Sequence, residues 1–142
     1  MALRFFTVYG PRQRPDMAFH KFMRALLEGR EIVIYGDGTQ TRDFTCVDDI
    51  VEGLVLAQKA PAGAVMNLGG GNRVSLAQAI ATLGEVMRME PKLARQGVEA
   101  GDVRDTWADV SSAAELIDYA PTTHLGVGLA QELAWLADGH AE

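Results

Sequence analysis

Apolar and polar positions along the chain predict a short-element mix of strands and helices. Arg4 to Tyr9 holds three aromatics in six residues, a dense strand signal that Gly10-Pro11 ends sharply. A strand this apolar is expected to be buried on both faces, inside a sheet. Only three residues precede it, so the reading is of a chain that begins partway through a larger fold. Phe19, Phe22, Met23, Leu26 and Leu27 then recur at helical spacing. They predict a helix from Met17 to Glu28, with Asp16 as N-cap and Gly29 just past its end. Glu31 to Tyr35 reads as a strand, and Gly36-Asp-Gly38 as a tight turn into a second strand, Thr41 to Val47, making a hairpin.

A helix from Asp48-Asp49 to about Lys59 follows, with its carboxylates where the helix dipole favours them. Val65 to Leu68 is a strand that leaves through Gly69-Gly70-Gly71. Ser75 is expected to cap a helix that runs to Met87, with Leu76, Ile80, Leu83 and Met87 on one face. Lys92 to Gln96 reads as a strand and Gly101 to Asp109 as a polar loop. Ser111 is expected to cap a short helix to Ile117, and a last helix spans Val127 to Leu136. No internal repeat, low-complexity tract or linker breaks this series. Helices mixed with hairpin strands give an α/β or α+β class.

Composition narrows the function classes. The 142 residues, 48% hydrophobic and 23% charged, are enough for one domain with a core. A net charge of −6 argues against general nucleic-acid binding, though not against a local arginine cluster that captures a small anion. The single Cys46 offers no disulfide framework and suits a reducing cytosol. No apolar run approaches the roughly 20 residues of a bilayer helix, so no membrane partner is expected.

Three segments carry candidate chemistry. Gly36-Asp-Gly-Thr-Gln-Thr-Arg-Asp-Phe-Thr-Cys-Val-Asp-Asp49 places Arg42 on a strand that leads into a helix. Arg42 either pairs with Asp43 or Asp48 on a solvated face, or serves as a rigid fork-shaped donor to a phosphate or ribose. Spacing alone favours the first. Glu99-Ala-Gly-Asp-Val-Arg-Asp-Thr-Trp-Ala-Asp109 sets Arg104 among acids. There Arg104 is either a loop staple or a second diphosphate donor, with Asp102 taking a ribose hydroxyl. Asn67-Leu-Gly-Gly-Gly-Asn-Arg-Val-Ser75 fails the dinucleotide fingerprint at Val74 and lacks the Gly-Lys-Ser/Thr of a phosphate loop. It reads as a structural turn. His20, His124 and His140 neighbour no nucleophile, Cys46 reads as a buried inert thiol, and no metal-ligand spacing occurs.

Taken with Leu3-Arg-Phe-Phe-Thr-Val-Tyr-Gly-Pro-Arg-Gln-Arg-Pro-Asp-Met-Ala18 and Tyr119-Ala-Pro-Thr-Thr-His-Leu125, these segments resemble UDP-glucuronate 4-epimerases. Those enzymes belong to the extended short-chain dehydrogenase/reductase group of nucleotide-sugar epimerases and dehydratases. The motifs follow in the family's order over essentially the whole chain, with Cys46 where the family usually has Tyr. The resemblance implies a two-domain enzyme with a Rossmann domain for NAD and a smaller C-terminal domain for the sugar nucleotide. This chain resembles only the C-terminal part, a small α+β substrate domain over 1–142 whose residues 1–15 would join the Rossmann domain.

The family's Gly-x-x-Gly-x-x-Gly turn and Tyr-x-x-x-Lys pair have no counterpart here. No catalytic, NAD-binding or metal residue is therefore assigned, and NAD belongs to the complete enzyme. By motif position Arg42 and Arg104 would hold the UDP diphosphate or its ribose, Asp102 the ribose, and Thr7 with Arg14 the sugar carboxylate. The implied chemistry is NAD-mediated oxidation at C4, rotation of the keto sugar and reduction on its other face, with this chain positioning the UDP-sugar. A non-catalytic binding or assembly module is the rival reading. Its partner would be a separate NAD-binding domain or a second copy paired through the opening strand. A UDP-glucuronate decarboxylase or dTDP-sugar dehydratase is the sister alternative.

Overall fold

The computed structural model describes residues 1–71, 73–97 and 103–139, and each absence noted below refers to these. Its elements are β1 (Ala2–Phe5), β2 (Val8–Tyr9), α1 (Ala18–Leu27), β3 (Ile32–Tyr35), β4 (Thr41–Arg42), β5 (Thr45–Cys46) and α2 (Val47–Leu56). A single 3-10 turn, Ala57–Lys59, extends α2. Then come β6 (Val65–Leu68), β7 (Val74–Ser75), α3 (Leu76–Met87), β8 (Leu93–Gln96), α4 (Ser111–Ile117) and α5 (Leu125–Ala137). The fold is α/β, built on four two-stranded pairs: β1 with β6, β2 with β5 and β3 with β8 in parallel, and β4 with β7 antiparallel.

The opening segment is two strands rather than one. β1 follows β6 until Phe6 donates its amide to Leu68 O at 3.3 Å. At the next residue the chain changes partner, and Thr7 O accepts the amide of Thr45 at 3.1 Å. Nor is the segment buried on both faces, because β1 has one strand partner and Phe5 is 50% exposed. The crossing joins two cores. Leu3 and Val8 pack with Ile50, Met66, Leu68, Ile117 and Tyr119, while Tyr9 enters the cluster of Phe19, Met23, Ile34, Leu83 and Leu129.

The expected hairpin does not form. Gly36 and Gly38 both have positive φ (74° and 84°) and turn the chain. The strands on either side nevertheless take different partners, β3 beside β8 and β4 beside β7. Helix ends also differ in detail. Asp16 does not cap α1: Met17 holds that place without a side-chain bond, and Asp16 is taken by Arg14. Gln13 does the capping work instead, its Oε1 accepting the His20 amide at 3.0 Å. At α4, Ser111 is the first helical residue rather than the cap, and Asp109 Oδ1 accepts its amide at 3.0 Å.

Ser75 behaves as its sequence predicts. Its Oγ accepts the Gln78 amide at 3.2 Å and Gln78 Oε1 accepts the Ser75 amide at 3.1 Å, a reciprocal capping box. Ser75→Ala is expected to cost about 1 kcal/mol in urea unfolding, whereas Ser75→Gly costs only a few tenths. Equal losses in the two variants would contradict the cap.

Candidate functional site

Arg42 and Arg104, 62 positions apart, are brought together by main-chain pairing. Thr41 bridges Asp105 in a parallel sense, with Thr41 N donating to Arg104 O at 2.9 Å and Thr106 N donating to Thr41 O at 3.2 Å. Arg42 Nη1 donates to the same Arg104 carbonyl at 3.1 Å and to Thr41 O at 2.8 Å. Thr41 Oγ1 adds a hydrogen bond to Asp105 Oδ1 at 2.6 Å. The strap of residues 103–109 thus lies along β4. The Arg104 side chain is exposed on it, and Trp107, 59% exposed, has the Arg73 guanidinium 6.0 Å from its ring centre. Asp37 lies close enough to feel Arg104. Its carboxyl is held below the usual range, first by the Thr39 hydroxyl and amide and least by the Arg104 charge.

Thr7 and Arg42 share a cleft of 300 Å³ whose other walls include Asp16, Lys21, Tyr35 and Phe44. Arg14 opens onto a neighbouring cleft of 430 Å³ with Val8, Gln13 and Met17. Its guanidinium is bound to Asp16 through Nε at 3.0 Å and Nη2 at 2.8 Å, in a pair with both side chains well exposed. So Thr7, Arg42 and the strap of Arg104 converge, while Arg14 reaches them through its partner Asp16. Asp102 lies outside the described residues.

Asp43, read from sequence only as a surface partner for Arg42, points inward and is fully buried. Its Oδ1 accepts the Gly70 amide at 2.7 Å, and its Oδ2 accepts the Ala108 amide at 3.0 Å. The Gly-rich segment is a turn wrapped over this carboxylate. A Cβ at Gly69 would stand 2.3 Å from the Ala108 Cβ, and one at Gly70 would stand 2.7 Å from Phe44 O. The Gly70 amide therefore faces an anion of the protein itself. That arrangement does not fit the cradle of a dinucleotide pyrophosphate, which needs such amides turned to the ligand.

Two more buried carboxylates escaped the sequence reading. Asp49, taken there only as a first-turn charge, accepts the amides of Thr122 and Thr123 at 3.2 Å each and staples the Pro121 segment to α2. Glu132 on α5 is fully buried and accepts the Gly10 amide at 2.9 Å through Oε2, while Oε1 has no partner. Burial pushes its carboxyl up to about 7, against the opposing pull of the Gly10 amide. A polar residue on the inward face of a helical pattern was the available signal for Glu132.

Cys46 is buried as expected, and desolvation raises its thiol pKa, the opposite of an activated nucleophile. His20 packs inside α1. No group of three or more His, Cys, Asp or Glu among the described residues is placed to hold a metal ion. No helix among them is long and apolar enough to cross a membrane.

Known proteins share the sequence and fold of this chain. The profile of the NAD dependent epimerase/dehydratase family matches residues 1–69. The chain is 42% identical to an uncharacterized UDP-glucose epimerase, YtcB, of Bacillus subtilis over 95% of its own length and 43% of the relative's. It is 40% identical to a UDP-glucuronate 4-epimerase of Thermodesulfobacterium geofontis over 94% of itself and 42% of that protein. Among solved structures, the UDP-glucuronic acid 4-epimerase of Bacillus cereus in complex with UDP-glucuronic acid and NAD superposes with a TM-score of 0.90 at 42% identity. The match covers 96% of this chain and 44% of that one. The chain spans less than half the length of these relatives. The chain is thus similar over residues 1–69 to the NAD dependent epimerase/dehydratase family and, over nearly all its length, to part of UDP-glucuronate 4-epimerases, with a fold that matches part of the extended short-chain dehydrogenase/reductase fold.

Proposed function

We propose that this chain is the UDP-sugar-binding portion of a UDP-glucuronate-type 4-epimerase and is inactive without an NAD-binding domain. The observation that carries the reading is the hydrogen bond from Arg42 to the carbonyl of Arg104, which sets two guanidinium groups on adjoining backbone. Two cationic forks carried on adjoining backbone suit a diphosphate. Asp102 would take the ribose. Thr7, on the wall of the cleft beside Arg42, would meet the sugar end together with Arg14. The Arg14–Asp16 pair supports that role. An exposed ion pair of this kind contributes little stability, so a ligand carboxylate can replace Asp16 at small cost. Selection for a uronate would then come from leaving that guanidinium poorly paired when a neutral sugar binds. NAD would be held by the partner domain, consistent with the Gly70 amide being spent on Asp43. The unpaired Cys46 fits a cytosolic setting.

Calorimetry with UDP tests the site. Micromolar binding is expected, with about a hundredfold loss in each of Arg42→Ala and Arg104→Ala. Incubation of the chain with NAD and UDP-glucuronate should yield no UDP-galacturonate. Turnover comparable to a complete epimerase would overturn the claim of inactivity.

One observation favours a second reading, as an assembly module. Phe5 on β1, Val51 and Val55 on α2, and Val65 on β6 are each at least half exposed, apolar side chains of the kind an interface would cover. A stable dimer in sedimentation, together with no affinity for UDP, would favour this reading over the first.

A further inference from the structure

We infer that Asp43 is a positioning residue of the two-arginine site, clamping the Arg104 strap and the Gly-rich turn onto the strand that carries Arg42. The inference rests on the reading of Arg42 and Arg104 as the diphosphate pair. Asp43 is fully buried and collects three donors from three separate stretches of chain. These are the Gly70 amide at 2.7 Å, the Ala108 amide at 3.0 Å and, more weakly, the Thr45 hydroxyl at 3.4 Å. A buried carboxylate with backbone donors on both oxygens fixes the geometry of every segment that donates to it.

Besides the side-chain bonds of Arg42 to the Arg104 carbonyl and of Thr41 to Asp105, two attachments hold the strap to this strand region. One is the main-chain bridge at Thr41, which holds Arg104 to Thr106. The other is Asp43, which holds Ala108. The two pins lie two residues apart, with Arg42 between them reaching the Arg104 carbonyl. The strap is therefore pinned on either side of Trp107, and the position of Arg104 relative to Arg42 follows from both pins. Glycine at 69 and 70 is what permits the close approach, since Cβ atoms there would strike Ala108 Cβ and Phe44 O.

Asparagine is the discriminating substitution. It keeps the size of Asp43 but offers one acceptor oxygen and one NH₂ to two amides that both require an acceptor. One backbone donor is left facing a donor, and the clamp opens on that side. The sequence has two tryptophans, so a Trp135→Phe background leaves Trp107 as the sole reporter of the strap. In that background Asp43→Asn is expected to keep its far-ultraviolet dichroism, to make Trp107 more accessible to acrylamide, and to weaken UDP binding about tenfold. A folded Asn variant with unchanged Trp107 quenching and unchanged UDP affinity overturns the inference. If the parent chain itself fails to bind UDP, the diphosphate reading falls. The quenching then decides the clamp alone: a change upholds it and no change overturns it. Should Asp43→Asn not fold, Gly69→Ala carries the same two readouts with the same expectations. It leaves the carboxylate intact and displaces the strap through its Cβ.

Discussion

Glu132→Gln is expected to be more stable than the native chain at pH 8 by roughly 2–3 kcal/mol, with the advantage shrinking towards pH 4.5. The native carboxyl is raised by burial from an ordinary 4.5 to about 7. Between those values the folded chain keeps a proton that the unfolded chain has released. Stability from this group is thus fully present below pH 4.5 and lost as the pH rises through 7. Above that point Glu132 is a buried anion with one amide donor, from Gly10, and a second oxygen without a partner. Glutamine keeps an acceptor for Gly10 and carries no charge. Other carboxylates titrate in both proteins, so the difference between the two pH profiles isolates residue 132. Urea unfolding at pH 4.5, 6 and 8 measures it, and parallel profiles would refute the account. Because Gly10 begins the loop of Arg12 and Arg14, the same contact ties α5 to the entrance of the candidate site.

Gly128→Ala is expected to destabilise the chain by about 3 kcal/mol, the upper part of the range for overpacked cores. Its Cβ would stand 2.5 Å from the Tyr9 hydroxyl and 2.7 Å from the ring. Tyr9 has no room to retreat. It is 1% exposed, packs edge-on against Phe19 with ring centres 5.4 Å apart, and donates its hydroxyl to Leu125 O at 3.3 Å. Its ring must shift or α5 must move away, and either displaces the strand that follows Thr7. Thermal unfolding reads the loss. A variant within 1 kcal/mol of the native chain would mean that α5 slides freely over Tyr9. Gly126→Ala, whose Cβ meets its nearest atom, on Thr82, at an ordinary 3.5 Å, is the matched control on the same helix.

The parts of the fold legible in the sequence are those decided within a few residues. The capping box of Ser75 and Gln78 and the helix to Met87 follow from local hydrogen bonding and from the spacing of Ile80 and Leu83, and both are found. The strand at Val65–Leu68 is likewise found where its apolar run predicts it. The local rules misled where a distant segment offered a better partner. Gly36 and Gly38 do turn the chain, but β8 and β7 take the strands that were expected to pair with each other. Asp16 has a suitable side chain for a cap, yet the charged fork of Arg14 claims it and Gln13 replaces it.

The candidate site divides along the same line. The sequence by itself determined which chemistry was on offer, with arginines at 42 and 104 in motifs that resemble those of UDP-sugar epimerases and no glycine fingerprint for a dinucleotide. It did not determine which groups meet. Arg42 looked like the natural partner of Asp43, its neighbour in sequence, but adjacent residues on an extended strand point to opposite faces. Only the tertiary structure decided that Asp43 faces inward, to amides 27 and 65 residues away, while Arg42 meets the carbonyl of Arg104. The physical reason is that buried polar groups must be satisfied by whatever donors the packed fold brings to them, and those donors come from segments that no local pattern connects.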